Sequence, residues 1–145
     1  MKMKILITTT IMLLTSVVWA FDPSGSYTFK EKGMSGSMTV KEEPDLKGGT
    51  VIKVKLDTIN SQTNMCDVEV AGERVISSEK AIDAIFMISK EVTYYEHDSK
   101  FEIRFTPKGA TIKKLTDDPA GCGMNAYFSG KWVKDIPKRK AVKKY

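Results

Sequence analysis

The segment TVIKVKLDTINSQTNMCDVEVAG, residues 50–72, decides the fold class of this chain. Apolar residues occupy every second position from Ile52 to Leu56 and again from Cys66 to Val70. Side chains on a β-strand point alternately to opposite faces of the sheet. Each run therefore predicts a strand with one face in the core and the other in water, with Cys66 on the inward face.

The same period recurs on both sides of this segment. The other apolar positions that share a face are Tyr27 and Phe29; Met38 and Val40; Phe101, Ile103 and Phe105; and Ala126, Phe128, Gly130 and Trp132. Turn-forming residues separate the runs, most clearly DDPAG at residues 117–121. This pattern predicts an all-β fold, a small antiparallel β-barrel or sandwich of about eight strands with at most one short helix.

Residues 79–90 leave two interpretations open. Ser78 is a suitable N-cap for a helix that would place Ile82 and Ile85 on one face. The apolar run from Ile85 to Ile88 is also typical of a strand buried on both faces, and we favour the strand.

The first twenty residues predict a secretory signal peptide. Lys2 and Lys4 precede the apolar stretch Ile5–Val18, and Val18-Trp19-Ala20 places small residues where signal peptidase cuts. The apolar core is too short for a membrane span, and no second apolar run follows. We therefore expect a signal peptide at 1–20, a β domain at 21–134 and a basic tail at 135–145, in a periplasmic or secreted protein.

The charge is unevenly distributed along the chain. The net charge of +5 falls to +3 when Lys2 and Lys4 leave with the signal peptide. The last twelve residues, beginning at Lys134, carry +5, so residues 21–133 carry −2. The basic tail is either a solvated terminus or a contact with an anionic envelope surface. The pattern does not indicate nucleic-acid binding, because no basic patch is interleaved with aromatic residues.

Cys66 and Cys122 are the two cysteines of the chain. An even pair in an oxidising compartment predicts one disulfide, which would stabilise the fold by roughly 4 kcal/mol in the chain-entropy model. A zinc site is disfavoured because the chain has no CxxC motif and a single histidine, His97.

Catalytic motifs find no support in the sequence. His97 lies between Glu96 and Asp98, whose side chains would point to the opposite face of a strand. No nucleophile elbow or phosphate-binding glycine loop is present, and Asp117 and Asp118 lack the spacing of a calcium loop. We expect no enzymatic activity, no metal and no cofactor.

The aromatic residues allow a second function class, a barrel that binds a small ligand. They would line a cavity in that case, and they fill the core otherwise; the set is Tyr27, Phe29, Tyr94, Tyr95, Phe101, Phe105, Phe128 and Trp132.

The segment GCGMNAYFSGKWVK, residues 121–134, resembles the closing motif of a group of small exported bacterial β proteins, many of unassigned function. In that group a Cys-Gly precedes a final strand of the type Phe-x-Gly-x-aromatic. The resemblance implies that Cys122 pairs with a cysteine of a middle strand, here Cys66.

The chain also resembles the bacterial inhibitors of host lysozymes, small exported β-barrels or sandwiches that insert a Ser-Gly loop into the enzyme's cleft. This resemblance implies a non-enzymatic binding protein whose partner is a secreted glycosidase or another envelope protein. It assigns partner contact first to Ser129, Gly130 and Lys131, and second to Ser24, Gly25, Ser26 and Tyr27.

Overall fold

A computed structural model describes residues 21–93, 98–116, 122–123 and 126–137. Its eight strands form a closed antiparallel barrel in chain order, and one helical turn follows the fifth strand. The elements are β1 Gly25–Glu31, β2 Met34–Pro44, β3 Thr50–Asn60, β4 Met65–Ser77, β5 Ile82–Ile88, α1 Lys90–Thr93, β6 Ser99–Thr106, β7 Gly109–Lys114 and β8 Gly130–Lys134. The predicted all-β class is confirmed, and the pairing of β1 with both β2 and β8 makes the sheet a barrel.

Because neighbouring strands run antiparallel, the connections lie alternately at two ends of the barrel. We call one end the terminal end, since residues 21–24 and 135–137 lie there with the turn at 107–108. The other is the disulfide end, where the turn at 32–33 and the connection from β7 to β8 lie. The predicted signal peptide, His97, Asp117 and residues 138–145 lie outside the described residues.

Inward-facing side chains fill the barrel. Phe29 stacks on Trp132 with ring centroids 4.8 Å apart, and Phe86 stacks on Phe101 at 5.2 Å. Phe128 meets Phe101 edge to face at 5.1 Å. Each such ring, when fully buried, contributes roughly 2–3 kcal/mol of hydrophobic stabilisation. The interior is therefore an aromatic core that holds the outer surface rigid.

β5 confirms that the ambiguous stretch contains a strand, but the expectation that this strand is buried on both faces is wrong. The strand is not buried on both faces, because Ile85 and Met87 are 37% and 49% exposed. β5 is one strand of a single-layered barrel, and nothing among the described residues packs on the outside of these two side chains. Asp83, on the same outward face, is covered instead by Arg104, which donates to it at 2.7 and 2.8 Å.

Two further elements depart from the pattern. The sequence pattern does not predict β7. Its turn at 107–108 and the two lysines at its end leave too short a run of alternating apolar and polar residues. The last strand begins at Gly130, whereas Ala126 and Phe128 lie in irregular chain before it. Both are nevertheless buried, so the predicted face is right although the strand is shorter.

Candidate binding surface

The predicted disulfide joins the β7–β8 connection to β4. Cys66 and Cys122 are bonded, with Cα atoms 3.9 Å apart, and the Cys66 side chain is fully buried. The backbone N–H of Gly123 donates to the carbonyl of Met65 at 2.7 Å. Residues 122–123 are therefore fixed along the start of β4, beside the outward side chain of Met65.

The first predicted contact segment, Ser129 to Lys131, starts β8 at the disulfide end. Gly130 has a φ of 133°, and a Cβ there would lie 2.7 Å from Oε1 of Glu31. The φ angle, which L side chains rarely adopt, explains the glycine without a partner. Ser129 is half-buried, and Lys131 is exposed and points outward.

The second predicted contact segment, Ser24 to Tyr27, closes the terminal end. The Tyr27 ring is buried, and its hydroxyl donates to the carbonyl of Pro23 at 2.6 Å. The Ser24 hydroxyl accepts a hydrogen bond from the backbone N–H of Glu42 at 3.2 Å. Ser24 thus extends the pairing of β2 past the first strand residue, Gly25, with a side-chain acceptor, while the carbonyl of Pro23 accepts from Tyr27.

The structure does not bring these two segments together. In the β1–β8 ladder Phe29 faces Trp132 and Tyr27 faces Lys134. Gly130 therefore lies beside the last residue of β1, while Gly25 is its first residue. Six residues of strand separate them, or roughly 20 Å. A partner that inserts one loop would contact one segment and leave the other free.

A different group of outward side chains lies together on β3 and β4 at the disulfide end. Ile59 is paired with Met65, and the next pair on the outer face is Asp57 with Asp67. Ile59 and Met65 are 38% and 52% exposed. We call these four residues the acidic–apolar patch.

Small residues of β2 leave space in front of this patch. A cavity of about 300 Å³ is bounded by Ser35, Gly36 and Ser37 on one side and by Asp57, Ile59 and Met65 on the other. A Cβ on Gly36 would lie 2.4 Å from the carbonyl oxygen of Asp57, so the strands approach closely only with glycine there. The result is a shallow depression with one wall of small β2 residues and one wall that is both acidic and apolar.

The two aspartates of the patch are not neutralised. Like charges directly opposite each other on antiparallel strands are destabilising. Within the part of the chain that the structure describes, the ion pairs involve Glu42, Glu43 and Asp83, and none includes Asp57 or Asp67. The barrel therefore keeps the half-buried carboxylate of Asp57 beside the exposed carboxylate of Asp67, at a cost in stability.

A second cavity, of about 410 Å³, lies further along the same strands towards the terminal end. Lys41 and Lys53 face each other across β2 and β3, and Lys55 follows on the same face. Lys53 is bound to Glu43 at 2.7 Å, and that hydrogen bond raises the pKa of Lys53. Lys55 faces Glu69 on β4, so these lysines are largely balanced by neighbouring acids.

The alternating runs predicted strands that include Asp57, Met65 and Asp67, but they did not include Ile59 and did not mark a site. The available signal was that Ile59 and Met65 occupy outward positions, where charged or polar residues prevail on β3 and β4. Among the described residues no group of three or more His, Cys, Asp or Glu could hold a metal ion. In the same residues no helix is long and apolar enough to cross a membrane.

Comparison of the chain with protein-family models, with curated proteins and with solved structures gives no match.

Proposed function

We propose that this chain is a non-enzymatic exported binding protein that binds a basic glycosidase of the lysozyme type through the acidic–apolar patch. The observation that carries the proposal is the pairing of two exposed apolar side chains, Ile59 and Met65, with two unneutralised carboxylates, Asp57 and Asp67. Unpaired like charges at adjacent positions cost stability, so a partner that supplies positive charge would relieve that cost.

Each part of the patch suits recognition. Exposed apolar side chains supply the area that is removed from water on binding. The carboxylates steer a cationic partner and reject an anionic one. The depression before Gly36 would admit a protruding side chain or the edge of a loop.

The barrel holds the patch in one arrangement. All four side chains lie on paired strands, and Met65 also receives the hydrogen bond of Gly123 next to the disulfide. A preorganised surface loses little conformational entropy on association, so more of the contact energy appears as affinity.

The test is a lysozyme turbidity assay with the mature protein, together with gel filtration of the mixture. We expect inhibition at micromolar protein and a complex on the column. The double variant Asp57→Asn and Asp67→Asn should weaken inhibition at least tenfold, because two desolvated charge contacts are lost.

The matched control removes the same charge elsewhere, with Glu73→Gln and Glu79→Gln, which are exposed and remote from the patch. It should inhibit like the wild type. Loss of inhibition in Lys131→Ala, with full inhibition in the double aspartate variant, would reject the patch and support the Ser129–Lys131 segment. No inhibition of any lysozyme type and no complex would reject the proposal.

A further inference from the structure

The side of the barrel opposite the acidic–apolar patch carries the reverse charge. Outward positions of β7 are Thr111 and Lys113, and those of β8 are Lys131 and Val133. Neither strand has an acid on its outward face. Lys131 faces Thr111 across the two strands.

The neighbouring strand β1 adds a third lysine to this surface. Phe29 faces Trp132, so continuing that register places Lys30 beside Lys131. We call Lys30, Lys113 and Lys131 the basic face; all three side chains are exposed.

Nearby carboxylates offset part of the charge of the basic face. Glu31 accepts a hydrogen bond from the hydroxyl of Tyr127 at 3.0 Å, and Asp135 accepts one from the hydroxyl of Thr28 at 2.9 Å. Among the described residues, Glu102 faces Lys113 from β6, and Asp135 follows Val133 on the same outer surface. Lys30 faces Ser35 and Lys131 faces Thr111, so these two lysines have no carboxylate directly opposite them on the neighbouring strands.

Exposed apolar side chains accompany these lysines. Val133 follows Lys131 on the outer face of β8 and is 64% exposed, and Leu115 follows Lys113 and is 44% exposed. A soluble polyanion would need the charges alone. Lysines beside apolar groups suit the boundary between lipid headgroups and acyl chains, where both contribute to binding.

We propose that the basic face docks the mature protein on the surface of a bilayer that contains anionic phospholipid. In a closed barrel of eight strands in chain order, β3 and β7 lie on opposite sides. Docking through β7 and β8 therefore directs the acidic–apolar patch away from the bilayer, where its carboxylates avoid the lipid charge and stay accessible.

The experiment is co-sedimentation of the mature full-length chain with phosphatidylcholine vesicles, with and without about one third phosphatidylglycerol. Near an anionic surface each lysine increases binding by a factor of about five. The triple variant Lys30→Gln, Lys113→Gln and Lys131→Gln should therefore bind anionic vesicles about 100-fold more weakly. Wild-type binding should also fall as salt is raised.

The chain offers a matched control. The triple variant Lys41→Gln, Lys53→Gln and Lys55→Gln removes the same charge from the other side of the barrel and should bind at least ten times more tightly than the basic-face variant. A third variant, Val133→Ser, keeps the charge and should bind several-fold more weakly than the wild type.

Three outcomes would overturn the proposal. The first is an absence of wild-type binding to anionic vesicles. The second is an equal loss in both triple variants, which would show a response to net charge only. The third is wild-type binding in the basic-face variant together with loss in Lys138→Gln, Arg139→Gln and Lys140→Gln, which would assign the contact to the tail. Circular dichroism of each variant checks that the barrel is folded.

Discussion

The two ends of the barrel are closed by different chemistry. At the disulfide end, irregular chain is held by the Cys66–Cys122 bond and by burial of Phe128. At the terminal end, the segment before β1 is held by hydrogen bonds of Tyr27, Ser24 and Lys134 and by packing of Phe21 against the core. Sulfur and aromatic packing hold the described parts of a connection outside the strands, whereas hydrogen bonds and the contact of Phe21 hold residues that extend an existing ladder.

This difference bears on the proposed sites. The acidic–apolar patch lies at the disulfide end, where the backbone N–H of Gly123 donates a hydrogen bond to the carbonyl of Met65. The terminal end contains Ser24 to Tyr27, where the hydroxyls of Ser24 and Tyr27 are already used in closing the barrel. Residues that complete the fold have fewer groups free for a partner than residues that the fold merely displays.

The largest expected effect is loss of the disulfide. The double variant Cys66→Ala and Cys122→Ala should lower the free energy of unfolding by about 4 kcal/mol, because the bond closes a loop with a sequence separation of 56 residues. Denaturant unfolding of oxidised wild type and variant measures it. A loss below about 1 kcal/mol would mean that packing alone closes this end.

The next largest effect is expected from truncation of the buried Phe128 side chain. Phe128→Ala should cost about 3 kcal/mol, near the lower limit for this substitution, because the irregular chain from Ala126 to Ser129 can relax into part of the space. The matched control is Val133→Ala on the outer face, which should change stability by less than about 0.5 kcal/mol. Equal losses of stability in the two variants would contradict a role of Phe128 in closing this end.

The terminal end should respond less to its own substitutions. Tyr27→Phe keeps the ring and leaves the carbonyl of the buried Pro23 without its donor, at a cost of about 1–2 kcal/mol. Ser24→Ala should cost about 0.5–1 kcal/mol. Thermal melts order these variants against Phe128→Ala, and a larger loss for Tyr27→Phe than for Phe128→Ala would reverse the comparison.

Local pattern predicts much of this fold and little of the candidate site. Alternation around Ile52 and Phe101 predicts strands and their inward faces, because those depend on neighbours in the chain. The patch depends on which residue of β3 faces which residue of β4, and on the glycine at position 36 that lets the strands approach. Strand register depends on turn lengths and, between β4 and β5, on the irregularity between Arg74 and Ile76. The two-residue period of the sequence reveals neither.

The smallest and sharpest test of the comparison is the pH at which each end weakens. At the terminal end the hydrogen bond from the backbone of Ser24 lowers the pKa of Asp22. At the disulfide end the hydrogen bond to Glu31 raises the pKa of Tyr127. A lowered carboxyl pKa stabilises the fold above the unfolded value and is lost in acid, whereas a raised phenol pKa stabilises it below the unfolded value and is lost in alkali.

The two ends should therefore fail at opposite extremes of pH. The difference in melting temperature between wild type and Asp22→Asn should be constant near neutrality and should close as the pH falls below about 4. The difference between wild type and Tyr127→Phe should close as the pH rises above about 10. Tyr27, whose pKa is raised by burial, is present in all three proteins and cancels in both comparisons. A gap for Asp22→Asn that persists in acid would show that its hydrogen bond to Ser24 does not distinguish folded from unfolded chain. Closure of the terminal end would then rest on the contacts of Tyr27, Ser24, Lys134 and Phe21.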